Sequence, residues 1–123
     1  MNISELRPAL KKVDISAKVM EKYDVREVVA STDNAQHRVG EVLIADESGS
    51  ILLTLWDENI GKAEQGKTYK ITNAYTSIYR NSLRLNLGKY GAIGPDSVEL
   101  KNAKTTPNIS EKEFDFESKP KMR

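Results

Sequence analysis

A chain of 123 residues, 38% hydrophobic and 30% charged, suits one domain plus a modest tail. With no cysteine and a single histidine, His37, it excludes disulfides, thiolate zinc sites, thiol nucleophiles and histidine-based metal clusters, so no metal or cofactor is expected. Nineteen Lys and Arg against eighteen Asp and Glu leave a net charge of +1, which excludes a global basic coat and confines any polyanion site to a local patch.

No apolar run approaches the roughly 18–20 residues of a membrane span, so no membrane partner is expected. The start, Met1-Asn2-Ile3-Ser4-Glu5, has neither the basic nor the apolar region of a secretory signal. The expectation is a soluble, intracellular protein, with a monomer favoured.

In chain order, residues 4–10 predict a helical turn capped by Ser4 and shortened by Pro8. Val13, Ile15, Ala17 and Val19 alternate with Asp14, Ser16, Lys18 and Met20, the period of a half-buried strand. Residues 38–45 form a second strand, apolar on both faces towards its end. Asp46-Glu47-Ser48-Gly49 is a turn, with Gly49 free to take positive φ, and residues 50–56 return as a third strand. Residues 57–64 predict a short helix, ended by Gly66. Residues 68–76 and 82–87 supply strands four and five. The sum is an all-β fold: a small, closed, five-stranded Greek-key barrel with a short helix between strands three and four.

From Pro107 periodicity fades, and Glu111, Glu113, Asp115 and Glu117 precede Lys119, Lys121 and Arg123. The expected division is a body over residues 1–95 and an extension over residues 96–123, mobile from about residue 107.

On strand three, Ile51, Leu53 and Leu55 share the core face, which leaves Leu52, Thr54 and Trp56 on the other. On strand five, Leu83, Leu85 and Leu87 face in, and Ser82, Arg84 and Asn86 face out. Simple alternation puts Tyr75 with Tyr69 and Ile71 in the core; only a bulge near Asn73 and Ala74 turns it outward. Trp56, Tyr75, Tyr79, Arg80 and Arg84 together make an aromatic-plus-cation set. Unpaired bases stack on aromatics while guanidinium groups meet phosphates, so the set points to single-stranded nucleic acid. No long basic helix for reading a duplex is visible.

Three stretches carry a resemblance: Ala45-Asp46-Glu47-Ser48-Gly49-Ser50-Ile51, then Leu53-Thr54-Leu55-Trp56-Asp57, then Asn73-Ala74-Tyr75-Thr76-Ser77-Ile78-Tyr79-Arg80. With the Leu-Arg-Pro-Ala-Leu opening, the chain over residues 3–95 resembles the simple single-OB-fold single-stranded DNA-binding proteins of crenarchaeal type. Their eukaryotic relatives sit in the sensor-of-single-stranded-DNA complex. The resemblance implies an OB-fold over residues 1–95 that binds single-stranded DNA in replication, repair or recombination. It also implies base stacking on Trp56, Tyr75 and Tyr79 and a basic contact from Arg26. Arg80, Arg84, Lys18 and Lys22 are expected to track phosphates. Asn86 joins the candidate set where some relatives carry another aromatic, with Tyr90 close by. The implied location is cytoplasmic and nucleoid-associated in an archaeon, nuclear in a eukaryote.

Two other readings stay open. OB barrels also hold single-stranded or structured RNA, and the aromatic set does not test for a 2′-hydroxyl. Alternatively, the chain is a scaffold subunit whose aromatics meet protein. The stretch of residues 111–117, with Phe114 and Phe116, reads as a solubilising tail, a recruitment motif for repair or replication proteins, or a segment that masks the groove. His37 reads as a loop or strand-end residue, and Asp46 and Glu47 as turn chemistry. No nucleophile elbow, phosphate loop or dinucleotide fingerprint occurs, so an enzyme is not expected.

Overall fold

The computed structural model describes residues 1–29, 33–88, 90–97, 100 and 102–111. Among these the strands are β1 Val13–Lys22, β2 Arg26–Val29, β3 Gln36–Asp46, β4 Gly49–Trp56, β5 Thr68–Tyr79, β6 Ser82–Asn86 and β7 Ala92–Pro95. The five strands expected from alternation are β1, β3, β4, β5 and β6. Two short ones join them: β2 pairs with β3, and β7 with β5. β1 pairs with β3 on one side and β5 on the other, so the sheet closes on itself. β3, β4, β6 and β5 follow in order, with β4 and β6 parallel.

Alternation fills the interior. Val13, Ile15, Ala17 and Val19 meet Val42 and Ile44, Ile51, Leu53 and Leu55, Ile71, and Leu83 and Leu85, all buried. Each valine, leucine or isoleucine of this set contributes roughly 1.5–3 kcal/mol on burial. Tyr69 is buried too, and its hydroxyl accepts the Glu64 N–H at 2.8 Å, which anchors the loop before β5.

Both predicted helical pieces are tighter than α-helix. The segment after β4 is a 3₁₀ helix over Asp57–Lys62. At the N-terminus a 3₁₀ turn spans Ile3–Glu5, and Asn2, not Ser4, is its N-cap. The Asn2 N–H donates to the Glu5 carboxylate at 2.7 Å, and the Ser4 N–H donates to Ser48 Oγ at 2.9 Å. Asp46 ties these ends together. Its Oδ1 accepts from Ser48 N at 2.8 Å, closing the turn, and its Oδ2 accepts from Ile3 N at 2.9 Å.

Residues 104–110 of the extension lie along β4. Lys104 N donates to Asp46 O, Ser50 N to Pro107 O, and Ile109 N to Ser50 O, at 2.9–3.0 Å. Ser110 is buried, and its Oγ accepts from Leu52 N and donates to the Leu83 carbonyl, closing the gap between β4 and β6. The acidic stretch from Glu113 to Glu117, Phe114 and Phe116 included, lies outside the described residues, as do Lys119, Lys121 and Arg123.

Candidate nucleic-acid interface

The outward side of β2, β3, β4, β6 and β5 is ordered in ranks by strand register. Arg26, Val39 and Trp56 form one rank. Glu41, Thr54, Asn86 and Tyr75 form the next; Leu43, Leu52, Arg84 and Ser77 form the third. Ser82 and Tyr79 follow beside it. Trp56, Tyr75, Tyr79, Arg26, Arg84 and Asn86 therefore share one face of one sheet, with Arg80 at its rim.

Tyr75 reaches this face through a bulge, against simple alternation. Between the pairs Ile15–Ile71 and Val13–Ala74, β5 carries one residue more than β1. Asn73 sits in the bulge at φ 55°, a conformation that asparagine tolerates better than most residues. Its N–H donates to Asp14 Oδ1 at 2.8 Å. The parity shift buries Ala74 and leaves Tyr75 41% exposed. The ring lies against Gly88, where a Cβ would stand 2.8 Å from Cε1.

Tyr79 ends β5 and is 43% exposed. Arg80 and Asn81 make the two-residue link to β6, both with positive φ (53° and 66°), the geometry of a type I′ turn that suits a twisted hairpin. The Arg80 and Arg84 guanidinium carbons lie 5.3 and 5.4 Å from the Tyr79 ring centroid, within cation–π range.

Arg84 is held in place. It forms an ion pair with Glu41, and its Nε donates to Ser82 Oγ at 3.1 Å. Burial, and secondarily the nearby Arg26 charge, push its pKa below the ordinary arginine range. Asn86 is also engaged, its Nδ2 donating to Ser77 Oγ at 2.8 Å. The lysines stand apart from the aromatics. Lys18 shares a rank with Ala45 and Ser50, roughly 20 Å along β4 from Trp56. Lys22 is in register with the core residue Val42, and its Nζ donates to the Ile60 carbonyl at 3.3 Å.

Trp56 closes β4, half-buried, and His37 meets it edge-on, with ring centroids 6.1 Å apart at 80°. His37 lies near the start of β3 with Nδ1 2.7 Å from Asp57 Oδ2 and Nε2 2.9 Å from Asp33 Oδ2. Donating to both carboxylates requires the imidazolium form. The hydrogen bonds to Asp57 and then Asp33 raise the His37 pKa above its ordinary value. The Asp57 carboxyl is lowered by the Arg38 N–H and then by His37; the Asp33 carboxyl is lowered by His37 and then by the Ala35 N–H. Asp57 itself takes φ 51°. This clamp sets the turn that begins right after Trp56.

Three residues of this face escaped the sequence reading. Glu41 carried a signal, an acidic residue set in the apolar stretch from Val39 to Ala45 of β3. His37 and Gly88 carried none, because their neighbours Trp56 and Tyr75 are distant in sequence.

The profile of the family described as "Single-stranded DNA binding protein Ssb-like, OB fold" matches residues 6–95. The single-stranded DNA binding protein Ssb of Saccharolobus solfataricus is 28% identical over 113 residues, covering 85% of this chain and 75% of that protein. The second OB-fold domain of replication protein A from Methanococcus maripaludis superposes with a TM-score of 0.66 at 25% identity, covering 82% of this chain and 98% of that one. A hypothetical protein of Arabidopsis thaliana shares the fold with a TM-score of 0.73 at 24% identity, over 100% of this chain and 89% of that one. The all-β closed sheet is therefore an OB-fold, and the chain belongs to the Ssb-like family of single-stranded DNA-binding proteins.

Proposed function

We propose that this protein binds single-stranded DNA with little sequence preference, stacking bases on Trp56, Tyr75 and Tyr79 while Arg26 and Arg80 meet phosphates. One observation carries the reading: β4 and β5 deliver three aromatics to a single outward face, with cations beside them. Every base has a π-face, so stacking tolerates any sequence, and each stack contributes about 1–3 kcal/mol. Two or three stacks sustain binding on a chain whose net charge is only +1. Arg84 serves mainly to hold Tyr79, since Glu41 already offsets its charge. Lys18 and Lys22 contribute to the general field more than to the strand's path. Family membership supports the reading, and replication, repair or recombination is the setting it fits. Contacts with replication or repair proteins through residues beyond 111 are part of the proposal.

The test is oligonucleotide titration read by Trp56 fluorescence. Strong quenching by poly-pyrimidine DNA is expected. Trp56→Ala, which lacks the one tryptophan and is therefore followed by the anisotropy of a labelled oligonucleotide, is expected to weaken binding by about 1–3 kcal/mol without unfolding the domain. A folded Trp56→Ala variant that binds normally refutes the stacking assignment. A matched RNA oligomer in the same titration measures the preference for DNA.

A further inference from the structure

Beside the aromatic face lies a groove of about 390 Å³, lined by Leu10, Lys11, Lys12, Tyr75, Gly88 and Tyr90 among others. Its walls come from segments far apart in sequence and are fixed to one another. Thr76 Oγ1 accepts from Leu10 N at 2.9 Å and donates to the Arg7 carbonyl at 2.7 Å, while Thr76 N donates to the Leu10 carbonyl at 3.0 Å. Positive φ at Ala9 (67°) and Lys12 (55°) turns this N-terminal segment across the β5 bulge. On the other side, Asn73 Nδ2 donates to the Tyr90 carbonyl at 3.1 Å, and Gly91 N donates to the Gly88 carbonyl at 3.1 Å. The same Asn73 that turns Tyr75 outward thus holds the backbone of Tyr90.

The result is a largely apolar groove whose lining includes two tyrosines, Tyr75 and Tyr90, and two lysines, Lys11 and Lys12. Tyr75 belongs both to the aromatic face and to the groove, so the two surfaces are continuous at this residue. Tyr90 is 78% exposed and presents an aromatic surface beyond Tyr75. An apolar floor, an aromatic wall and adjacent cations are what a nucleotide needs: a stack for the base and a counter-charge for its phosphate.

Resting on the function proposed above, we propose that this groove is a subsite for one further nucleotide at an end of the bound single strand. Its base stacks on Tyr90 and its phosphate meets Lys11 and Lys12.

The experiment compares wild type, Tyr90→Ala, Lys11→Ala/Lys12→Ala and Trp56→Ala across DNA oligonucleotides of stepwise increasing length, with 2-aminopurine placed at the 5′ or the 3′ end. Tyr90 is exposed, so its truncation leaves the fold intact, as thermal melting checks. The expected result is quenching of 2-aminopurine at one end only. Tyr90→Ala should abolish that quenching and lose about 5- to 150-fold in affinity for the longer oligomers, with the shortest ones bound as by wild type. Wild-type affinity for Tyr90→Ala at every length, alongside a clear loss in Trp56→Ala, overturns the groove subsite and leaves the stacking face standing. An equal loss at every length also overturns it, because the groove then belongs to the common face. If the wild type binds no oligonucleotide, the proposed function itself fails, and the subsite with it.

Discussion

The His37 imidazole stands edge-on to the Trp56 indole at 6.1 Å while its Nδ1 lies 2.7 Å from the carboxylate of Asp57, the residue after Trp56. One side chain thus braces the Trp56 indole and the turn behind it. Folding raises the His37 pKa above 6.5, so its contribution to stability is complete below pH 6.5 and is lost as pH climbs through the raised value. Folding lowers the Asp33 and Asp57 pKa values below 3.8, so their contribution is present above pH 3.8 and is lost as pH falls through the lowered values. The clamp is therefore complete between pH 3.8 and 6.5. The melting-temperature difference between wild type and His37→Gln is expected to be largest in that window and to shrink towards alkaline pH. Trp56 emission should titrate above pH 6.5 in the wild type alone. A difference that does not vary with pH would refute the clamp.

Gly88 keeps Tyr75 where it is. A methyl group there, 2.8 Å from Cε1, forces the ring to move. Gly88→Ala is expected to fold normally and to lose affinity for single-stranded DNA by up to the 1–3 kcal/mol of about one stacked base. Titration alongside Tyr75→Ala checks this. Equal affinity of Gly88→Ala and wild type shows that the ring position does not matter.

Glu41 pairs with Arg84 on the aromatic face, and the pair is half-buried. Glu41→Gln strands the guanidinium and should cost on the order of 1 kcal/mol of stability. It also frees a cation beside Tyr79. Affinity for DNA should rise at low salt, and the slope of log affinity against log salt should steepen by about 0.7. Salt titrations of both proteins provide the check, and an unchanged slope means Arg84 reaches no phosphate.

Gly49 is what lets the extension lie on β4. At φ 150°, a Cβ there would stand 2.7 Å from the Pro107 carbonyl oxygen, the acceptor for Ser50 N. Gly49→Ala is expected to lift residues 104–110 from the sheet, with faster amide exchange at Ser50 and Leu52 and a lower melting temperature. Unaltered exchange at these two amides contradicts the proposed packing.

The core was legible in the sequence because strand periodicity is local. Ile51, Leu53 and Leu55, like Leu83 and Leu85, announce their face by alternation alone, and Trp56 follows from them by parity. Alternation alone put Tyr75 in the core, and only the resemblance put it on the face, because one extra residue at Asn73 reverses parity and nothing in the periodicity distinguishes a bulged strand from a regular one. Arg84 read as a free cation because its partner Glu41 lies 43 positions away. Lys22 read as a phosphate contact because the β1 irregularity that turns it towards Ile60 is likewise set by pairing with β3. The sequence by itself therefore determined which residue types were available and which strands bury which side. Only the tertiary structure decided which aromatics share a face, which charges are already neutralised, and that Asn73 joins Tyr75 to Tyr90. Those outcomes depend on register between distant strands, whose energies no local pattern contains.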